Sequence, residues 1–91
     1  MLNSKEDGCF MCESPDVELH HIMFGTGQRK ISDEWGCTVY LCPRHHRGTK
    51  GVHGRDGRPL NMYLKRLGQR DIDQQYGKGK FFELFGKNYL D

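Results

Sequence analysis

Thr38-Val39-Tyr40-Leu41-Cys42-Pro43-Arg44-His45-His46-Arg47 reads as a strand that runs straight into a metal knuckle and out into a helix. Thr38 to Leu41 are β-branched, aromatic or aliphatic, the side chains that suit a pleated, half-buried surface. Pro43 fits the first turn of a helix, where its missing N–H is no loss, and that turn carries His45 and His46. Cys42-x-x-His45 has the spacing of half a zinc site. The other half lies upstream in Cys9-Phe10-Met11-Cys12, since two x-x spacings on separated segments are how a chain closes a four-ligand site. Cys9, Cys12, Cys42 and His45 are therefore the expected ligands of a structural Zn²⁺. His20, His21 and His46 are left over, and a purely structural module has no need of them.

Between the two knuckles, Glu13-Ser14-Pro15-Asp16 reads as a turn and residues 17–24 as a strand bearing His20 and His21. Residues 25–37, with Gly25, Gly27 and Gly36, read as a loop, which gives the order strand, loop, strand, helix. Gly48, Gly51, Gly54 and Gly57 should cut that helix short, each costing about 1 kcal/mol against Ala in a helix interior. From Pro59 the pattern changes: Leu60, Tyr63, Leu64 and Leu67 recur at helical spacing, extending through Ile72 to Tyr76, where Gly77 and Gly79 end the element. Phe81, Phe82, Leu84, Phe85 and Tyr89 predict a closing helix whose aromatics are core. The expected fold class is α+β. Residues 1–91 form a single domain with a helical C-terminal extension over 59–91.

A chain of 91 residues buries a small core, and a metal staple is the usual remedy. Ten aromatics argue against disorder. The polar start offers no apolar run for a signal peptide, and no stretch approaches a membrane span, so a cytoplasmic location is expected. In a reducing compartment, cysteines at x-x spacing beside histidines point to metal rather than disulfides. The formal net charge is only +2, but residues 44–66 hold seven basic groups against Asp56 alone. Arg44, Arg47, Lys50, Arg55 and Arg58 follow directly on the histidine cluster and suit a phosphate backbone, hence DNA as partner; a merely solvated basic face is the alternative.

The succession Cys9-x-x-Cys12, Leu19-His20-His21-Ile22, a loop, and Val39-Tyr40-Leu41-Cys42-Pro43-Arg44-His45-His46 resembles the HNH endonucleases, also called ββα-metal or His-Me finger nucleases. It is most similar to small phage-type members with a zinc knuckle, over residues 9–53. The resemblance implies a ββα-metal finger stapled by zinc, and a phage or prophage origin in a bacterial host cell. It also implies hydrolysis of DNA to 3′-hydroxyl and 5′-phosphate ends. By position it makes His21 the general base and His20 and His46 the ligands of a catalytic divalent cation, Mg²⁺ or Mn²⁺ or another. The family's orienting asparagine falls here at Cys37, which is either an apolar packing residue or a fifth zinc ligand.

These residue types suit the chemistry. A neutral imidazole has its pKa near working pH and can take a proton from water, while a divalent cation stabilises the leaving oxygen. His53 reads as a third cation ligand, a phosphate contact or an exposed loop histidine. His20 and His21 are adjacent strand residues that point to opposite faces, so one of them can equally be a packed core histidine. His46 has a second reading as the zinc ligand in place of His45. Two further function classes stand beside the nuclease, each with a monomer assumed: a non-catalytic zinc-stabilised DNA-binding module and a zinc-ribbon protein-interaction domain.

Overall fold

Two short strands, β1 (Glu18–His21) and β2 (Thr38–Leu41), pair antiparallel with His20 opposite Val39 and His21 opposite Thr38. In the computed structural model, which describes residues 1–90, four helices complete an α+β fold: α1 (Gln28–Trp35), α2 (Pro43–Arg47), α3 (Arg58–Tyr76) and α4 (Lys80–Phe85). Asp91, the last residue of the expected domain, lies outside the described residues. In chain order β1, α1, β2 and α2 come first, followed by the C-terminal helices α3 and α4.

The strand expected over residues 17–24 is shorter because its backbone changes partner after His21. Ile22 N–H still donates to Cys37 O at 3.0 Å, but Met23 is taken over by a side chain. Ser32 Oγ accepts from Met23 N–H at 3.1 Å and donates to Met23 O at 2.8 Å. Ser32 belongs to α1, which corrects the expectation of a loop over residues 25–37. The glycines there bound a helix rather than fill a loop: Gly27 and Gly36 flank it in the left-handed region, with φ of 78° and 71°. The closing helix also differs, since α4 stops at Phe85 and Tyr89 lies beyond it, half-buried against the core. Phe82 faces solvent.

Ile22, Val39, Leu41, Leu64, Ile72 and Phe81 are fully buried and join both strands to α3 and α4. Gly68 makes the approach of α3 possible. A Cβ there would sit 3.2 Å from both Cys37 Sγ and Ile22 Cδ1, tighter than most packed contacts. The first knuckle is laced to the sheet by Phe10 N–H donating to Tyr40 O at 3.0 Å, and it is closed on itself by Cys9 N–H to Ser14 O and Glu13 N–H to Cys9 O, both 2.8 Å.

Candidate metal centres

α2 carries His45 and His46 in succession, and the two imidazoles serve different clusters. His45 joins Cys9, Cys12 and Cys42, which are close enough together to hold a metal ion. Cys42 Sγ lies 3.2 Å from His45 Nδ1, Cys9 Sγ 3.6 Å from the same nitrogen, and Cys12 Sγ 3.6 Å from Cys42 Sγ. A tetrahedral Zn²⁺ with sulfur at about 2.3 Å and nitrogen at about 2.0 Å sets such atoms roughly 3.5 to 3.8 Å apart; the two 3.6 Å spacings match this, the 3.2 Å one is shorter, and the donor set is compatible with structural zinc. Met11 N–H donates to Cys9 Sγ at 3.4 Å, an amide of the kind that supports a thiolate. Cys37 is not among these ligands. It is buried against α3, and burial pushes its thiol up to about 12.

The second cluster is His20, His46 and His53, whose ligand atoms lie within 4.8 Å of one another. His20 comes from β1, where it shares a face with Glu18 two residues away. Its residue is 1% exposed, and its Nε2 is a buried nitrogen with no hydrogen-bond partner. Leaving such an atom unpaired is costly, and a cation facing it supplies the missing partner. Burial first, and the neighbouring His46 second, hold the His20 imidazole down to about 3, so it stays neutral and able to bind metal. Burial and His46 likewise lower His53.

His46 is fixed by Glu18, whose Oε1 lies 2.8 Å from His46 Nδ1. That bond occupies Nδ1 and leaves Nε2 as the ligand atom, the usual arrangement of a metal-binding histidine. Glu18 also takes Arg47 in a fork, Nη2 to Oε2 at 2.7 Å and Nε to Oε1 at 3.1 Å. These bonds, Arg47 first and His46 second, hold the Glu18 carboxyl down to about 2.

His53 is brought in by the glycine-rich segment after α2. Gly51, Gly54 and Gly57 each donate to the carbonyl three residues back, winding the chain into successive tight turns. Val52 N–H reaches His45 O at 3.0 Å and His53 N–H reaches His46 O at 2.9 Å, so the coil lies back on α2. Only glycine fits the crossings: a Cβ on Gly54 would lie 1.8 Å from Gly48 O, and one on Gly57 1.7 Å from Gly51 O.

His21 ends β1 and borders the same pocket of about 260 Å³ as His20, His46 and His53. Its Nε2 lies 3.2 Å from Asp33 Oδ1 on α1. Asp33, Glu18 and Arg29, another residue of this pocket, were not singled out from sequence. The basic segment is also less free than it reads. Arg47 is committed to Glu18 and Arg55 pairs with Asp56 at 3.3 Å, whereas Arg44, Lys50 and Arg58 are exposed. No helix of the described residues is long and apolar enough to cross a membrane. No protein-family model, curated protein or solved structure matches the chain.

Proposed function

We propose that this protein is a metal-dependent endonuclease of the HNH kind that hydrolyses phosphodiester bonds in DNA. The observation that carries the reading is the cluster of His20, His46 and His53, in which His20 has a buried, partnerless Nε2, with His21 bordering the same pocket. His20, His46 and His53 would hold a divalent cation, which supplies charge stabilisation to the leaving oxygen and polarises the phosphoryl group. Three imidazoles form a borderline donor set that suits Mn²⁺ and later transition ions better than Mg²⁺.

His21 is the general base. Asp33 beside Nε2 favours the tautomer with the proton there, which leaves Nδ1 with the free lone pair that removes a proton from water. Asp33 thus takes the orienting role that the resemblance assigns to an asparagine, and Cys37 has no part in it. Phe24 and Leu19 form the apolar wall of the pocket, where fewer waters compete for the phosphate. The zinc centre holds α2 so that His46 meets His20.

Supercoiled plasmid incubated with zinc-loaded protein and added Mn²⁺ or Mg²⁺ tests the proposal. Nicked and linear products with 3′-hydroxyl ends are expected, faster with Mn²⁺. Plasmid left intact with Mn²⁺, Co²⁺, Ni²⁺ and Mg²⁺ alike would overturn it in favour of the non-catalytic DNA-binding module.

A further inference from the structure

The cations beside the histidine cluster include two of α1, Arg29 and Lys30, as well as Lys65 of the basic stretch 44–66. Arg29 borders the histidine pocket and also an adjoining hollow that it shares with His21, Lys30 and Asp33. Among the described residues, neither Arg29 nor Lys30 pairs with a carboxylate: the one carboxylate in the hollow, Asp33, has its near contact with His21. Phe24 also borders the pocket, and Lys65 Nζ lies 5.3 Å from the centre of its ring. Lys65 also has no carboxylate partner among the described residues, and its second ring contact is Tyr89 at 5.5 Å. Arg29 stands on α1 and Lys65 on α3, so the cations beside the pocket come from two different elements.

We infer that a single nucleic-acid strand crosses the site from α1 to α3, with the scissile phosphate at the histidine cluster, one flanking phosphate held by Arg29 and Lys30, and the other by Lys65. The inference rests on the site being one for phosphodiesters and names the path that its substrate takes. Two cations against one carboxylate leave the lining of that hollow net positive, and a guanidinium presents the fork that phosphate oxygens accept. A substrate held on both sides of the reacting bond is a polymer and not a mononucleotide ester. Arg47, paired with Glu18, borders neither pocket.

The test uses full-length, zinc-loaded protein carrying His21→Ala, so that the probe is bound and not consumed. Binding of a fluorescent single-stranded 20-mer is followed by anisotropy across a salt series with Mn²⁺ present. Each phosphate contact contributes about 0.7 to the slope of log affinity against log salt for a single strand. Arg29→Ala with Lys30→Ala should flatten the slope by about 1.4, and Lys65→Met, which keeps the apolar stem on Phe24, by about 0.7. Lys78→Ala removes the same charge away from both pockets and should leave the slope unchanged. Zinc content and melting temperature, equal in all variants, show that the fold is intact. Unchanged slopes in the Arg29/Lys30 and Lys65 variants, or equal flattening by Lys78→Ala, would overturn the path. Plasmid cleavage by the parent reads the nuclease proposal separately: no cutting with the slopes shifted as stated sinks that proposal and leaves the strand path standing.

Discussion

Glu18→Ala removes one carboxylate and two relationships at once: the acceptor 2.8 Å from His46 Nδ1 and the fork that holds Arg47. The first of these bears on metal. With Nδ1–H held by Glu18, His46 presents Nε2 toward His20 and His53 in one ring orientation and with raised basicity. Losing such an outer partner costs about 10- to 100-fold in metal affinity. Arg47 already draws on the same carboxylate, which weakens its pull on His46, so the expected loss is at the lower end, about 10- to 30-fold. Glu18 titrates far below neutrality, its folded value of about 2 lying under the ordinary 4.5 because of Arg47 and then His46. Its contribution is therefore fully present above about pH 4.5 and fades only as pH falls toward 2. Calorimetric titration of Mn²⁺ into zinc-loaded protein at pH 7.5 measures the effect. Arg47→Ala is the control, since it breaks the ion pair but keeps the Glu18–His46 bond, and it should bind Mn²⁺ as tightly as the parent or more so. Parental affinity in Glu18→Ala, or an equal loss in Arg47→Ala, would refute the reasoning that Glu18 acts through His46.

Three further outcomes are expected. Cys12→Ala should lose the tightly held zinc and with it the cooperative melting transition, whereas Cys37→Ala, away from the cluster, should keep zinc by metal analysis. His21→Ala should slow plasmid cleavage by about 10²- to 10⁴-fold with no recovery on added Mn²⁺, while His46→Ala should regain part of its activity as Mn²⁺ rises, because mass action refills a weakened site and cannot replace a base. Burial holds His20 at about 3, below the usual 6.5, so the unfolded chain binds the proton first and stability falls as pH drops between those values. Urea unfolding of the wild type should lose about 2 kcal/mol more between pH 7 and pH 5 than that of His20→Leu, and parallel pH profiles would contradict this.

The Cys9, Cys12, Cys42 and His45 cluster was legible because its information is local: two x-x spacings place candidate ligands in pairs whatever the intervening chain does. The three imidazoles were only partly legible. His20 and His46 came from a family resemblance, and His53 remained one reading among three. Its place depends on how Gly51, Gly54 and Gly57 coil the chain back on α2, and glycine advertises freedom without naming the conformation. The segment between the strands hid most. Gly25, Gly27 and Gly36 suggested a loop, yet residues 28–35 contain no glycine, and Gly36 stands where a left-handed residue ends a helix. Once that stretch is helical, Arg29 and Asp33 fall four residues apart on one face, which is the face turned to His21. Without the helix the two residues carry no common meaning. The pairing of Arg47 was hidden for a related reason. Charge counts do not show that Arg47 will meet Glu18 across the sheet.

The two clusters are tied through five residues. α2 spans Pro43–Arg47, far too short to hold its shape alone, since helices below about 12 residues are marginal in water even with favourable sequences. Its geometry is imposed from both ends: Cys42 and His45 belong to the zinc cluster, and Val52 and His53 bond back to the carbonyls of His45 and His46. His46 is the very next residue after His45 of the first cluster, so a change in a metal held there would reach the second cluster within one peptide unit. The converse coupling is weaker, because His20 is held by the β1–β2 ladder and His46 by Glu18 whether or not a second cation is present. Metal removal should therefore proceed asymmetrically. A mild chelator that strips the histidine cluster should leave the melting transition close to its starting value, whereas a chelator strong enough to take zinc should abolish the transition and Mn²⁺ binding together. Loss of Mn²⁺ binding should never lag behind loss of zinc. A zinc-depleted protein that still binds Mn²⁺ at parental affinity would show that α2 holds His46 in place without the staple, and would break the link between the two centres.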